Sequence, residues 1–388
     1  MSKLIGSERV LVEGELRPAV LRVEGDRIAQ VWWGTSDPDR IAAAGDDMLG
    51  APAAPAPSTW RLGDRMLLPG TVDTHVHVAP GAGAGGAGFA SAASAAAHAG
   101  VTTIVDLPWR SAEPTTTVEA LRVKQSAARS ASAQLSCDVS FWGAAVPGNV
   151  DDLEPLHEAG VVGFTCLVAG SGDPGLPTLA PDELLAALDR LVRFDGLLAA
   201  PAEDATVGTL LDAVRETGAR THLLHVSSAK VLDLLAEAKE EGLPVTAETC
   251  YHHLVPAAGE AGGGNATSTC CPPLRDRGDQ DALWDGLREG ILESVVGTAG
   301  ATARTGGSGL PGFVTLAAAA HSRGVAVPEV SRWTSATTVT LVGLDRGDRP
   351  KGTITEGAAA DLFVYDPDAG AVTDTLLGGR LVASSTAR

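Results

Sequence analysis

Apolar and polar positions alternate with a period of two in three short runs near the start, "RVLVEGELRPAVLRVEGDRIAQVWW", residues 9 to 33, separated by Gly-containing turns. Alternation of this kind buries one side of each run and wets the other, so the segment predicts three strands. Residues 42 to 58, "AAAGDDMLGAPAAPAPS", carry no period and are rich in Ala and Pro, which predicts a loop. After a further apolar run, "RMLLPG", short apolar segments alternate with alanine-rich stretches of helical length.

The segments are "TVDTHVH", "TTIVDLP", "CDVSFWG", "VGFTCLV", "LLAAPAE", "THLLHV", "PVTAET" and "ESVVGT". Eight such βα units predict a (β/α)8 TIM barrel, an α/β architecture with its chemistry at the C-terminal ends of the strands. Near the end, "KGTITEGAAADLFVYDP" and "DTLLGGRLVA" return to strands and turns. Both termini are therefore expected to meet in a small β-sandwich domain, residues 1–66 plus 349–388, beside a barrel over 67–348.

A chain of 388 residues, 44% hydrophobic, can bury cores of this size, and a formal net charge of -19 argues against a nucleic-acid or anionic membrane surface. The first residues, "MSKLIGSERVLVEGELRP", lack the apolar core of a signal peptide, and no run approaches the roughly 18 apolar residues of a membrane span. Cys137, Cys166, Cys250, Cys270 and Cys271 are odd in number and lack CxxC spacing, which fits reduced thiols in a cytoplasmic protein.

The candidate chemistry starts at "DTHVH". His75 and His77 stand one residue apart on a strand, so both imidazoles point to one side and can offer two nitrogens to one metal ion. A histidine on an apolar face is more often a hydrogen-bonded core residue. Position argues otherwise here: His75 and His77 end the first barrel strand and His225 ends the sixth, so the three can converge at the barrel mouth. Three neutral imidazoles suffice for one zinc ion with water in the fourth position.

The ordered motifs "PGTVDTHVH", "AGVTTIVDLP", "HVSSA", "AETCYHHL", "CPPLRDR" and "KGTITEGAAADL" resemble the cyclic amidohydrolases of the amidohydrolase superfamily, in the allantoinase, dihydroorotase and hydantoinase branch. The resemblance runs from about residue 9 to the C-terminus, and the stretch after "DTHVH" is most similar to allantoinases. It implies a barrel with two divalent metals bridged by a carbamylated lysine, opening a cyclic amide or ureide with a final-strand aspartate as general base. A further implication is a homo-dimer or tetramer.

Against that pattern, His75, His77 and His225 are present, but the lysine position holds Thr165, the strand-five histidine position holds Pro201, and "SDH" is replaced by Gly297, Thr298 and Ala299. The loop after the histidine pair, with Ala79, Gly81 and Gly83, has lost the charges expected of a substrate loop. Arg110, Glu203 and Cys166 are candidates for substitute chemistry. Cys250, His252, His253 and Cys270 suggest a zinc cluster, but the family has a similar "ETCPHYL" without one, which favours packing. The cofactor expectation is none or one divalent metal, zinc first.

Three readings remain open from the sequence: a one-metal hydrolase of cyclic amides, a barrel recruited to other small-molecule chemistry, and a non-catalytic scaffold for a partner enzyme subunit.

Overall fold

The computed structural model describes residues 2–44, 57–78, 86–108, 114–168, 176–255, 272, 274–297 and 312–385. The chain opens with strands β1 (Ser2–Val12), β2 (Glu15–Glu24) and β3 (Arg27–Trp33), antiparallel neighbours as the alternation predicts. A short helix, Pro38–Ala43, starts on Asp37, whose carboxylate accepts from the amides of Asp39 and Arg40. Strands β4 (Ser58–Arg61) and β5 (Met66–Pro69) then pair in parallel with two halves of β1. The sheet thus reaches Pro69, whereas the sequence pattern ended it at residue 66.

The barrel strands follow: β6 (Thr71–Val76), β7 (Val101–Asp106), β8 (Asp138–Phe141) continued by β9 (Gly143–Ala144), and β10 (Phe164–Thr165). After a small parallel pair, β11 (Leu167–Val168) with β12 (Thr178–Leu179), come β13 (Leu198–Pro201), β14 (Thr221–Leu224), β15 (Val245–Cys250) and β16 (Ser294–Val296). Each of the eight expected runs contributes one stave, and the neighbouring pairs among the described residues are parallel.

Asp73 joins the first stave to the last. Its carboxylate accepts from the His75 amide at 2.9 Å and from the backbone N–H of Gly297, just after β16. A Cβ on Gly297 would lie 2.3 Å from Asp73 Oδ2, so this junction admits no side chain.

Odd and even positions along the staves divide the core. Phe164, Cys166, Leu198, Ala200, Leu223, Val245 and Ala247 belong to the cluster shared with helix residues such as Leu184, Leu188 and Leu210. The alternate positions, including Ala144, Ala199 and Leu224, form a separate cluster around Trp142. The indole N–H of Trp142 donates to the Thr74 carbonyl at 2.9 Å.

The last strands, β17 (Leu362–Asp366), β18 (Ala371–Leu377) and β19 (Arg380–Ser384), rejoin the first sheet through β17 on β5. Among the described residues this makes an eight-stranded sheet with its own core of Ile5, Val10, Leu21, Ile28, Leu67, Leu362 and Leu376. It is tied to the barrel by ion pairs: Arg349 and Lys351 each contact both Asp361 and Asp138, the latter at the start of β8. Phe313 also stacks edge-on to Phe363, with ring centroids 4.9 Å apart.

Candidate active site

His75 lies on β6 and is 5% exposed, and His225 follows β14 and is 6% exposed. Their Nε2 atoms are 3.1 Å apart. Two nitrogens bound to one zinc ion at 2.0–2.1 Å stand about 3.3 Å apart in tetrahedral geometry, so the pair is spaced for a shared ligand. The His77 ring lies next to this pair, its centroid 5.3 Å from that of His75 and edge-on to it.

His225 has a φ of +59°, the left-handed region. Such a conformation costs a non-glycine residue about 1–3 kcal/mol and persists where the surroundings over-determine it. Here both ring nitrogens are engaged, Nε2 by His75 and Nδ1 by Cys250 Sγ at 2.8 Å. Burial, with the nearby His252, His77 and His222, pushes the His225 imidazole down to about 3. The ring is therefore neutral at ordinary pH, which is the form that ligates metal.

Glu248 closes the group from β15 and is fully buried. Its Oε2 accepts from His222 Nε2 at 3.2 Å and from the Thr74 hydroxyl at 3.4 Å. On its other side, His222 Nδ1 is hydrogen-bonded to the Thr246 hydroxyl at 2.8 Å. Glu248 Oε1 has no hydrogen-bond partner among the described residues and lies 3.8 Å from His225 Nδ1. A buried carboxylate oxygen left in this state is costly unless a proton or cation completes it. Donor atoms of His75, His225 and Glu248 lie within 4.8 Å of one another.

Asp73 sits beneath this cluster, and burial pushes its carboxyl up to about 6, with the charge of Glu248 acting in the same direction. Behind the strand, Lys124 is 8% exposed and forms an ion pair at 2.7 Å with buried Asp106, whose other oxygen accepts from the Val78 amide. That pair anchors the chain where it leaves the HxH strand. Burial raises the Asp106 carboxyl above its ordinary value even with the lysine beside it.

The residues at the altered positions face the same barrel. Thr165 is fully buried and pairs in register with Ala199 and Ala144, its hydroxyl 3.5 Å from the Gly143 carbonyl. Pro201 ends β13 in register with Leu224, one residue before His225. Neither a threonine hydroxyl nor a proline ring can carry a carbamate or supply an imidazole, so these two positions do not fit a lysine-bridged pair, while His75, His225 and Glu248 offer donor atoms close enough to meet at one ion.

Cys166 must be withdrawn as a candidate. It alternates with Thr165, packs on the helix side of the barrel wall, and burial drives its thiol up to about 12. A thiol held protonated there is neither nucleophile nor ligand. Glu203 is half-buried at the turn after β13, on the same barrel end as the histidines, where its carbonyl accepts from the amides of Thr206 and Val207. Arg110, Thr298, Ala79, Gly81 and Gly83 lie outside the described residues.

Three groups were not singled out from the sequence: Asp73, His222 and Glu248. The available signal was an ionisable side chain inside a strand otherwise made of apolar and hydroxyl residues, as in "PVTAET".

Residues 66–382 match the amidohydrolase family. The chain belongs to that family. Within it, the chain is 39% identical over 347 residues to an allantoinase of Streptomyces avermitilis, covering 79% of this chain and 76% of that one. It is 33% identical over 352 residues to an allantoinase of Saccharomyces cerevisiae, covering 77% and 74%. Among solved structures, an L-hydantoinase (dihydropyrimidinase) from Arthrobacter aurescens superposes with a TM-score of 0.79 at 20% identity, over 99% of this chain and 96% of that one. That likeness bears on the fold: a TIM-barrel amidohydrolase. Among the described residues no helix is long and apolar enough to cross a membrane.

Proposed function

We propose that this amidohydrolase-family chain binds a cyclic amide or ureide at the barrel mouth through one divalent metal ion, zinc first, held by His75, His77 and His225. It acts on that ligand, or on a related small molecule, by chemistry other than two-metal hydrolysis. The observation that carries the reading is the 3.1 Å approach of the buried His75 and His225 Nε2 atoms, with the His225 ring neutral, in a barrel where Thr165 and Pro201 offer no second ligand set. The allantoinase relatives point to a cyclic ureide as the ligand class.

When bound, the ion supplies Lewis-acid polarisation of a ligand carbonyl. The chain's own residues do the rest. Asp73 fixes the His75 backbone, Cys250 holds the His225 ring, and Glu248, fixed by His222 and Thr74, presents an oxygen beside them that can take or hold a proton.

Calorimetric titration of the zinc-loaded protein with allantoin, dihydroorotate and hydantoin tests the reading. The expected result is saturable binding of at least one ring that disappears in His77→Asn and after chelation. Binding of none of them, with zinc demonstrably held, would instead favour a scaffold for a partner subunit and would refute the proposal.

A further inference from the structure

The strand that carries Glu248 ends at Cys250, and a single helical turn, Tyr251–Leu254, brings two consecutive histidines back toward that sulfur. We propose that Cys250, His252 and His253 form a second metal site, for zinc or a similarly thiophilic divalent cation, on the opposite edge of the His225 ring from His75.

Their donor atoms lie within 4.8 Å of one another. Donors around a tetrahedral zinc with one sulfur stand about 3.3–3.8 Å apart, so the cluster needs to close by roughly 1 Å to grip an ion. The second observation is His253 itself: it is 2% exposed, and neither ring nitrogen has a hydrogen-bond partner among the described residues. A buried imidazole with both nitrogens unsatisfied carries a desolvation penalty that an ion would relieve. The two rings lie side by side, with centroids 4.2 Å apart.

Burial holds His252 down to about 4 and His253 well below its ordinary value, so both are neutral and able to ligate. The positive charge near His253 is Arg275, which is tied to Asp204 at 3.2 Å. His225 Nδ1, 2.8 Å from the Cys250 sulfur, is placed to donate its N–H to the thiolate, which leaves the fourth position of the ion to water. One thiolate with imidazoles favours zinc over magnesium or calcium, and binding sends the thiol proton to solvent.

The consequence reaches the first site. His225 presents Nε2 toward His75 and Nδ1 toward Cys250, so one neutral imidazole would ligate the first ion through Nε2 and steady the thiolate of the second through its Nδ1–H. Strand seven would then offer a second cation position where the family's lysine and strand-five histidine positions have become Thr165 and Pro201. Packing alone, the expectation from the sequence, leaves the buried His253 nitrogens unexplained.

Cobalt reconstitution of the full chain tests this independently of turnover. The apo-protein is titrated with Co2+, following thiolate-to-cobalt charge-transfer absorption in the near ultraviolet and the bound metal per chain. Wild type should show the absorption and bind two ions. Cys250→Ser should abolish the absorption and lose one ion, His253→Gln should weaken that ion by at least about tenfold, and His77→Asn should lose the other ion while keeping the absorption. Thermal melts confirm that each variant is folded, and His253→Gln carries the test if Cys250→Ser is not. No charge-transfer absorption in wild type, or absorption that survives Cys250→Ser, would overturn the proposal. Loss of the His77-dependent ion alone would contradict the proposed function and leave this site standing.

Discussion

At the residue scale, His225 concentrates the strain and the chemistry. Its folded-state value, about 3, lies below the 6.5 of the unfolded chain. The unfolded state therefore takes up the proton first, and this contribution to stability is intact above about pH 6.5 and lost as pH falls from there toward 3. Asp73 acts with the opposite sign, because a carboxyl raised from 3.8 to about 6 is relieved of its burial cost as pH falls through 6. The metal-free protein should melt at lower temperature at about pH 5 than at about pH 7, and His225→Asn, which tolerates the left-handed backbone, should flatten that slope. Thermal denaturation across pH checks both.

Gly297 offers a sharper local prediction. With Asp73 Oδ2 only 2.3 Å from where a Cβ would stand, Gly297→Ala should destabilise the fold by about 1–3 kcal/mol, read from urea unfolding. This constraint was hidden in the sequence, where Gly297 read only as a lost family serine. A glycine's reason lies in its neighbour, and Asp73 is more than 200 residues away along the chain.

At the scale of elements, the eight strands were legible because each is a short apolar run bounded by turns, and that pattern survives any detail of packing. Which face each residue takes was less legible. Thr165 and Cys166 are neighbours of similar burial, yet one faces the barrel and the other the helices, because the side-chain period of a strand is two. The run "MLLP" within "RMLLPG" is apolar throughout and suits either sheet, and its pairing with β1 and β17 puts it in the sheet of the two chain ends.

Lys124 was equally opaque, a charged residue on a helix where solvent is the usual destination. Its ion pair with Asp106 holds the exit of the HxH strand through the Val78 amide. Lys124→Met leaves a buried carboxylate without its partner and should cost about 3–5 kcal/mol in chemical denaturation. Zinc affinity should fall with it, because His77 sits next to the segment so released.

At the scale of the whole molecule, both chain ends build one sheet that docks on the barrel through Asp138, Arg349, Lys351 and Asp361, leaving the C-terminal mouth to the histidine cluster. Metal should stabilise the whole fold by mass action: zinc at about 100 times its Kd adds about 2.7 kcal/mol, visible as a rise in Tm that His75→Asn removes. The resemblance to cyclic amidohydrolases was readable across nearly the full chain because several motifs keep their order. The expectation of an altered site rests on Thr165 and Pro201, which interrupt those motifs. The Glu248 and His222 support was not, since strands distant in sequence meet only in the closed barrel.

The central claim is that this barrel keeps a metal-binding histidine group but not two-metal hydrolysis. Steady-state ring opening of allantoin by the zinc-saturated chain, measured beside the Streptomyces avermitilis allantoinase under identical conditions, tests it most directly. We predict a rate at least about 10²-fold lower, the usual cost of losing a general base alone. Turnover within tenfold of that relative, abolished by His75→Asn, would contradict the account.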